Sequence, residues 1–159
     1  MDTSNLAGAP VHPTHVVSCF ILRAESSGDR VLLVRRSERV RTYRGAWAAI
    51  SGYLEPGITP LAQAYTELRE EAALDEGDVA LVRQGAELTV VDAREGLSWI
   101  VHPFLFHLLA PDKLTTDWEA VERRWVSPDE MRALHTVPML AEAFAAVYPG
   151  DTMTNAPLP

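Results

Sequence analysis

One amphipathic helix constrains this chain more than any other feature of its sequence. The pattern predicts a helix from Thr59 to about Glu76, with Thr59 as its N-terminal cap and Pro60 in its first turn. Gly77 follows where a residue without a Cβ atom favours helix termination. Apolar residues recur at offsets of three and four along one side, at Leu61, Ala64, Tyr65, Leu68 and Ala72. This side is therefore expected to face a hydrophobic core.

Three glutamates, Glu67, Glu70 and Glu71, lie within one sector on the far side of that apolar stripe. Like charges at this spacing repel each other, at a cost of roughly a few tenths of a kcal/mol per pair. A divalent cation would offset the repulsion, and ligands that are all oxygen suit Mg²⁺ or Mn²⁺. The alternative is a solvated acidic face, which is common on surface helices.

A glycine-bracketed turn, Gly52–Gly57, leads into the acidic helix, and the combined segment resembles the Nudix box. The signature of that family is G-x5-E-x7-R-E-U-x-E-E-x-G-U, in which U is an aliphatic residue. Six of the nine fixed positions match, at Gly52, Glu67, Leu68, Glu70, Glu71 and Leu74. The departures are Ile58 in place of a glutamate, Thr66 in place of the arginine and Ala73 in place of the second glycine.

Other segments between residues 15 and about 135 resemble Nudix landmarks in the expected order. They are Val31–Arg36, Gly45–Trp47 and Trp125–Glu130. A weaker similarity, over Trp99–Phe104 and Thr136–Pro138, is to Nudix domains fused to initiation-factor-2B-like proteins. The resemblance implies an α/β fold, a Nudix-type α/β/α sandwich with a mixed central sheet.

The resemblance also implies a function, namely hydrolysis of the pyrophosphate bond in a nucleoside diphosphate linked to another group, such as a nucleotide or nucleotide sugar. The implied cofactor is Mg²⁺ or Mn²⁺, and the implied metal ligands are the Gly52 carbonyl, Glu67, Glu70 and Glu71. The same three glutamates are catalytic candidates, and Glu55 matches a frequent acidic site in the loop. A general base often comes from a later loop, where Glu119 and Glu122 are both options. Glu122 is the one that we include among the catalytic candidates.

The departures at Ile58 and Thr66 favour an alternative function. In the family, the two charges missing here are understood to pair and to orient the catalytic glutamate. Their joint loss leaves no unpaired charge, and we expect Ile58 to pack, shielded from water, where the ion pair would lie. Loss of such support lowers activity or metal affinity. The alternative is thus a catalytically impaired Nudix-fold module that binds nucleotides or regulates.

Five arginines lie between Arg35 and Arg44, and a loop so rich in arginine suits a polyphosphate. We predict that Arg35, Arg36 and Arg44 bind substrate, together with Tyr53. Trp47 and Trp99 are further candidates for stacking on a base. The alternative is a solvated loop whose arginines pair with nearby acids.

The rest of the domain reads as mixed strands and short helices. Strands are predicted at His15–Leu22, Arg30–Val34, Trp47–Ile50, Val79–Val82, Glu87–Val91, Ser98–Leu109 and Arg123–Val126, with helices from Ser127 and over Pro138–Val147. We predict a flexible arm over residues 1–13, a single domain over 14–149 and a flexible tail over 150–159. His15, His102 and His107 lie in apolar strand patterns, which favours structural roles over metal binding.

Composition excludes several classes of function. Hydrophobic residues make up 47% of 159 residues, which is enough for a core. The net charge of −8 disfavours nucleic-acid binding, and the sequence has no stretch typical of a membrane span or signal peptide. Cys19 is the single cysteine and is expected to be buried and inert, so a reducing, cytoplasmic location fits best. We expect a small-molecule substrate, and a homodimer is possible.

Overall fold

A mixed sheet of eight strands organises residues 12–114 and 122–149, the part of the chain that the computed structural model describes. The strands are β1 (Thr14–Glu25), β2 (Gly28–Arg35), β3 (Trp47–Ala48), β4 (Ile50–Tyr53), β5 (Val79–Gln84), β6 (Leu88–Asp92), β7 (Leu97–Leu108) and β8 (Arg123–Val126). The α-helices in these ranges are α1 (Pro60–Ala72), α2 (Pro128–Ala133) and α3 (Leu140–Ala145), and short 3₁₀ turns cover Glu76–Asp78 and Pro111–Lys113. No helix within these ranges is long and apolar enough to cross a membrane.

The two longest strands, β1 and β7, run parallel at the centre of the sheet, with Val16 opposite Val101. The other paired strands are antiparallel. Along its other edge β1 pairs first with β4, where Val17 lies opposite Gly52, and then with β2. β7 is likewise shared between β6 and β5. This arrangement places β4, which carries Gly52, directly beside the centre of the sheet.

Alternate residues of the central strands supply two separate cores, one on each face of the sheet. Cys19 and Ile21 of β1 pack with Phe104 of β7 and with Leu68 of α1. The intervening Phe20 packs on the other face with residues of α2 and α3. One helical layer therefore covers each side of the sheet, which confirms the predicted α/β/α sandwich.

The end of α1 differs from the prediction. The helix ends at Ala72, and Ala73 adopts the left-handed conformation with φ 56° and ψ 35°. The Ala73 N–H then donates to the Arg69 carbonyl, and the Leu74 N–H donates to the Leu68 carbonyl. Leu74 is fully buried, so the chain must turn here to seat it. Gly77 does not end the helix, because burial of Leu74 fixes the turn four residues earlier.

Smaller differences concern other boundaries. The strand predicted at Trp47–Ile50 is two short strands, β3 and β4, and β4 includes Ser51 and Gly52 instead of ending before them. The last helix begins at Leu140 rather than Pro138, because Met139 is left-handed, with φ 65°. The predicted hairpin between β1 and β2 is present, and Gly28 in its turn has φ 124°. The predicted flexible ends lie almost wholly outside the described residues.

Candidate active site

The closest contact in the site lies between β4 and α1. The carboxylate of Glu67 rests directly on the backbone of Gly52, so that a Cβ atom added at Gly52 would overlap the carboxylate carbon. Only glycine leaves room for this approach. The two box positions that the sequence places fifteen residues apart are therefore brought together in space.

Burial and neighbouring charge both act on Glu67. Partial burial raises the pKa of its carboxyl group above the ordinary value, and the negative charges of Glu70, Glu71 and Glu55 raise that pKa further. A hydrogen bond from Gln63 opposes these effects. The side chain of Glu67 is half-buried, whereas Glu70 and Glu71 are exposed one turn further along α1. The predicted cluster of like charges is therefore present at the end of the helix.

Donor type and charge make these residues suitable for a divalent cation. Glu67, Glu70 and Glu71 offer carboxylate oxygens, and the backbone of Gly52, which Glu67 contacts, carries one further oxygen donor. Across the two described ranges, no three acidic, histidine or cysteine side chains are gathered around a single point. The donor types and the mutual repulsion of the three carboxylates suit a divalent cation such as Mg²⁺ or Mn²⁺, although these side chains do not converge on one point in this arrangement.

Gln63 was missed by the sequence predictions, although it supports Glu67 directly. Its side chain is 2% exposed and donates from Nε2 to Glu67 Oε2 over 3.0 Å. Its Oε1 accepts the backbone N–H of Glu55 over 3.1 Å. The available signal was the spacing of four residues between Gln63 and Glu67, which places the two side chains on one helical face.

Ile58 does not occupy the predicted buried position. Its side chain is 42% exposed, and the half-buried Thr66 donates its hydroxyl hydrogen to the Ala62 carbonyl over 3.1 Å. The expectation of an apolar contact shielded from water is therefore wrong, because the loop leaves Ile58 in solvent. A charged side chain introduced in place of Ile58 would therefore remain in contact with water and would pay no large desolvation free energy.

A cavity of about 650 Å³ opens on the other face of the sheet and reaches Gly52 and Tyr53. Its apolar wall comes from the centre of the sheet, including Val16 of β1 and Val101 of β7. Trp99 lies beside Tyr43, with ring centroids 5.6 Å apart. Gly52 therefore borders both features, since it lines the cavity and also contacts the Glu67 carboxylate, whereas Glu67, Glu70 and Glu71 are not among the lining residues.

Tyr43 ties the arginine-rich loop to β6. Its hydroxyl donates to Asp92 Oδ2 over 2.7 Å. Burial and this carboxylate raise the pKa of Tyr43, and the hydrogen bond lowers the pKa of Asp92. Sequence reasoning did not find this pair, because 49 residues separate its members.

The five arginines of the loop divide into two groups. Arg36, Arg39 and Arg41 line the cavity. Arg36 also donates to the carbonyl of Thr42 over 3.0 Å, and Arg39 and Arg41 are exposed at the cavity. The other two brace the backbone, since Arg35 donates to the Gly45 carbonyl and Arg44 to the Val40 carbonyl. Arg35 and Arg44 were predicted to bind substrate, and neither lines the cavity.

Glu122 lies beside Arg35 rather than among the glutamates of α1. The Arg35 Nη1 and Glu122 Oε1 atoms are 3.2 Å apart, and both side chains are about half exposed. Two predicted site residues therefore pair with each other, and neither is among the residues that line the cavity. The alternative base, Glu119, lies outside the described residues.

The aromatic, histidine and cysteine candidates are also located. Tyr53 is 70% exposed at the cavity, whereas Trp47 is buried beneath the Arg124 guanidinium. Cys19 is fully buried, and burial followed by the charge of Glu67 raises its pKa, which keeps it a thiol as predicted. His15 Nδ1 and His102 Nε2 form a hydrogen bond of 3.0 Å, a pairing that the sequence did not indicate.

Comparison with known proteins gives consistent matches. The family model for the NUDIX domain matches residues 12–147. A mutT/nudix family protein from Listeria innocua superposes with a TM-score of 0.72 at 19% identity, covering 91% of this chain and 98% of that one. An Ap4A hydrolase from C. elegans superposes with a TM-score of 0.66 at 16% identity, covering 84% of this chain and 95% of that one.

A similarity in sequence is stronger but shorter. An RNA pyrophosphohydrolase from Legionella pneumophila (strain Corby) is 41% identical over 56 residues, which are 33% of this chain and 32% of the relative. The matched segment thus spans about a third of the length of this curated relative. Because the family model extends over almost all of the described residues, the chain belongs to the NUDIX domain family.

Proposed function

We propose that this protein is a metal-dependent hydrolase of the pyrophosphate bond in a nucleoside diphosphate linked to another group, such as a nucleotide or nucleotide sugar. The observation that carries this proposal is the seating of Glu67 on Gly52, a residue that also lines the cavity. The names of the pyrophosphohydrolase and Ap4A hydrolase relatives agree with this class of reaction.

In this proposal Glu67, Glu70, Glu71 and the Gly52 carbonyl hold Mg²⁺ or Mn²⁺. When bound, the ion supplies positive charge for the pyrophosphate and lowers the pKa of a coordinated water. Arg36, Arg39 and Arg41 neutralise phosphate oxygens at the cavity. Tyr53 and Trp99 contact the nucleoside portion, where an aromatic face suits a base.

Glu122 remains our proposed general base, with Arg35 as its partner. Removal of the carboxylate in Glu122→Gln should lower kcat with little change in KM, since a base acts in the reaction step and not in substrate binding. An unchanged kcat would remove Glu122 from the catalytic residues and leave Glu119 as the next candidate.

A screen of substrates tests the proposed function. Nucleoside triphosphates, ADP-ribose, dinucleoside polyphosphates and nucleotide sugars would be incubated with the protein and Mg²⁺ or Mn²⁺. We expect cleavage by the wild type and none by the triple variant Glu67→Gln, Glu70→Gln, Glu71→Gln. Glu142→Gln, on an exposed position of α3, is the matched control. Calorimetry should show that the triple variant alone loses affinity for the ion.

The second candidate is a catalytically impaired nucleotide-binding or regulatory module. The exposed, uncharged Ile58 and the internally bonded Thr66 favour it, since neither supplies a charge to orient the site. Binding of a nucleotide without turnover under any metal condition would favour this candidate over the hydrolase.

A cytoplasmic location and a homodimer also belong to the proposal. The single, buried cysteine is compatible with a reducing compartment. Light scattering over a range of concentrations would determine the oligomeric state, and a constant monomer mass would remove the dimer.

A further inference from the structure

Gln63 has an unusual environment for a polar side chain. It is 2% exposed in the first half of α1, beneath the loop that connects β4 to the helix. A buried amide is costly unless its hydrogen bonds are made, and both ends of this one have partners. Oε1 accepts from the Glu55 N–H, and Nε2 donates to Glu67 Oε2.

The two partners determine which way the amide faces. A backbone N–H can only donate, so Oε1 must point to Glu55. An ionised carboxylate can only accept, so the NH₂ group must point to Glu67. Glutamine therefore matches this position in a way that neither a carboxylate nor an apolar side chain of similar size can.

No other side chain among the described residues connects this loop to Glu67 by a hydrogen bond. Ile58 is apolar and exposed, and the Thr66 hydroxyl is bonded to the Ala62 carbonyl within the helix. The other polar contacts of the loop go to its own backbone, to the His15 carbonyl, which accepts from the Leu54 N–H, and to the first turn of α1, where Thr59 accepts from the Ala62 and Gln63 N–H groups. The loop and the glutamate are thus held together through a single amide.

We propose that Gln63 is a positioning residue that holds the Glu67 carboxylate against Gly52 and fixes the loop over the start of α1. This inference rests on the proposed function, since it gives Gln63 a purpose only if Glu67 binds a cation. A positioning role differs from a packing role because it requires Gln63 to donate one hydrogen bond, to Glu67, and to accept another, from the Glu55 N–H.

Two variants of similar volume separate the two hydrogen bonds. Gln63→Met removes both. Gln63→Glu keeps an acceptor for the Glu55 N–H but faces Glu67 with a second carboxylate. The control is Gln84→Met, since Gln84 is the other glutamine of the chain and is exposed. Thermal unfolding of each variant establishes that it is folded.

Three measurements follow for each variant: Mn²⁺ affinity by calorimetry, hydrogen exchange of the Glu55 amide by NMR, and the kcat and KM of a substrate found in the screen. We expect both Gln63 variants to lose about ten- to a hundredfold in Mn²⁺ affinity and in kcat, with a smaller change in KM. The Glu55 amide should exchange faster in Gln63→Met and remain protected in Gln63→Glu. Gln84→Met should match the wild type throughout.

Other results overturn one proposal or both. Mn²⁺ affinity within twofold of the wild type in both Gln63 variants, or unchanged exchange at Glu55 in Gln63→Met, would overturn the positioning role. A wild type that binds Mn²⁺ but cleaves no substrate would overturn the proposed hydrolase, while exchange and metal affinity would still decide the role of Gln63. A wild type that binds no Mn²⁺ would overturn both.

Discussion

Two small residues determine the local geometry around the acidic helix, and they do so in opposite ways. Gly52 is needed because the Glu67 carboxylate occupies the space of a Cβ atom. Ala73 has a Cβ atom where its left-handed backbone disfavours one. Adding a methyl group at Gly52 should therefore disturb the site, whereas removing the methyl group of Ala73 should relieve backbone strain and stabilise the fold.

Gly52→Ala should displace the Glu67 carboxylate, because the new methyl group and the carboxylate cannot share one position. The expected result is loss of Mn²⁺ binding in a protein that still folds, since the end of a side chain can move more easily than a strand. Calorimetry and thermal unfolding check this. Gly77→Ala is the control, because an added Cβ there meets no atom within 4 Å. Retention of full Mn²⁺ affinity by Gly52→Ala would contradict the assignment of Glu67.

Ala73→Gly should stabilise the fold, by about 0.5–1 kcal/mol after the extra entropy of glycine in the unfolded chain is subtracted. Gly77→Ala should cost nothing, because Gly77 has no positive φ. Midpoints of urea unfolding measure both changes. If Gly77→Ala lowered the free energy of unfolding by more than about 1 kcal/mol, the size expected at a left-handed position, the original prediction that the helix ends at Gly77 would be supported instead.

At the scale of secondary structure elements, α1 and α2 each begin at a side-chain cap. Thr59 accepts from the Ala62 N–H at the start of α1. At the start of α2, Ser127 Oγ accepts from the Glu130 N–H, and the Glu130 carboxylate accepts from the Ser127 N–H. Such reciprocal bonds satisfy N–H groups that a helix cannot satisfy internally.

The capping box of α2 should make stability depend on pH. The hydrogen bonds from Ser127 lower the pKa of Glu130 below its ordinary value of 4.5. A lowered pKa in the folded state stabilises the protein above pH 4.5, and this contribution disappears as the pH falls through the folded-state value. The wild type should therefore exceed Glu130→Gln in stability near pH 7, and the gap should shrink in acid. A gap that stays constant from pH 7 to pH 3 in urea unfolding would contradict this.

At the scale of the whole molecule, the cavity is formed by parts distant in sequence. The arginine-rich loop, the centre of the sheet and the segment before α3 all contribute to its lining. The hydrogen bond between Tyr43, which lines the cavity, and Asp92 joins the loop to β6. Substrate recognition should therefore depend on the exposed Arg39 and Arg41, in a loop that the partly buried hydrogen bond between Tyr43 and Asp92 holds in place.

Arg39→Ala and Arg41→Ala should raise the KM of a phosphate-containing substrate several-fold while kcat changes less. This pattern is expected when a contact forms equally in the ground and transition states. The matched control is Arg132→Ala, in which an arginine that is 73% exposed is removed from α2. Steady-state kinetics in low salt measure the effect, since screening weakens it. Equal KM values in all three variants would favour the alternative, in which the loop is solvated and does not bind substrate.

The sequence predicted those features that depend on nearby residues. The apolar stripe of α1 follows from spacings of three and four residues, whereas the proximity of Glu67 to Gly52 and the sandwich fold were expected from the resemblance to the Nudix box. Contacts between distant residues could not be predicted, and the pairs Tyr43 with Asp92 and His15 with His102 are of this kind. The end of α1 was missed because burial of Leu74, a tertiary effect, outweighed the preference for glycine.

The parallel pairing of β1 with β7 has a consequence for how the protein is made. Val16 of β1 lies opposite Val101 of β7, so β1 cannot form its central pairing until the ribosome has synthesised β7. The proposed metal ligands are translated earlier: Gly52 lies on β4, and the three glutamates lie on α1, whose Tyr65 packs on Phe106 of the same late strand. Closing so long a loop is slow compared with forming a helix. The site should therefore be assembled only after β7 has left the ribosome, as a late event in biosynthesis.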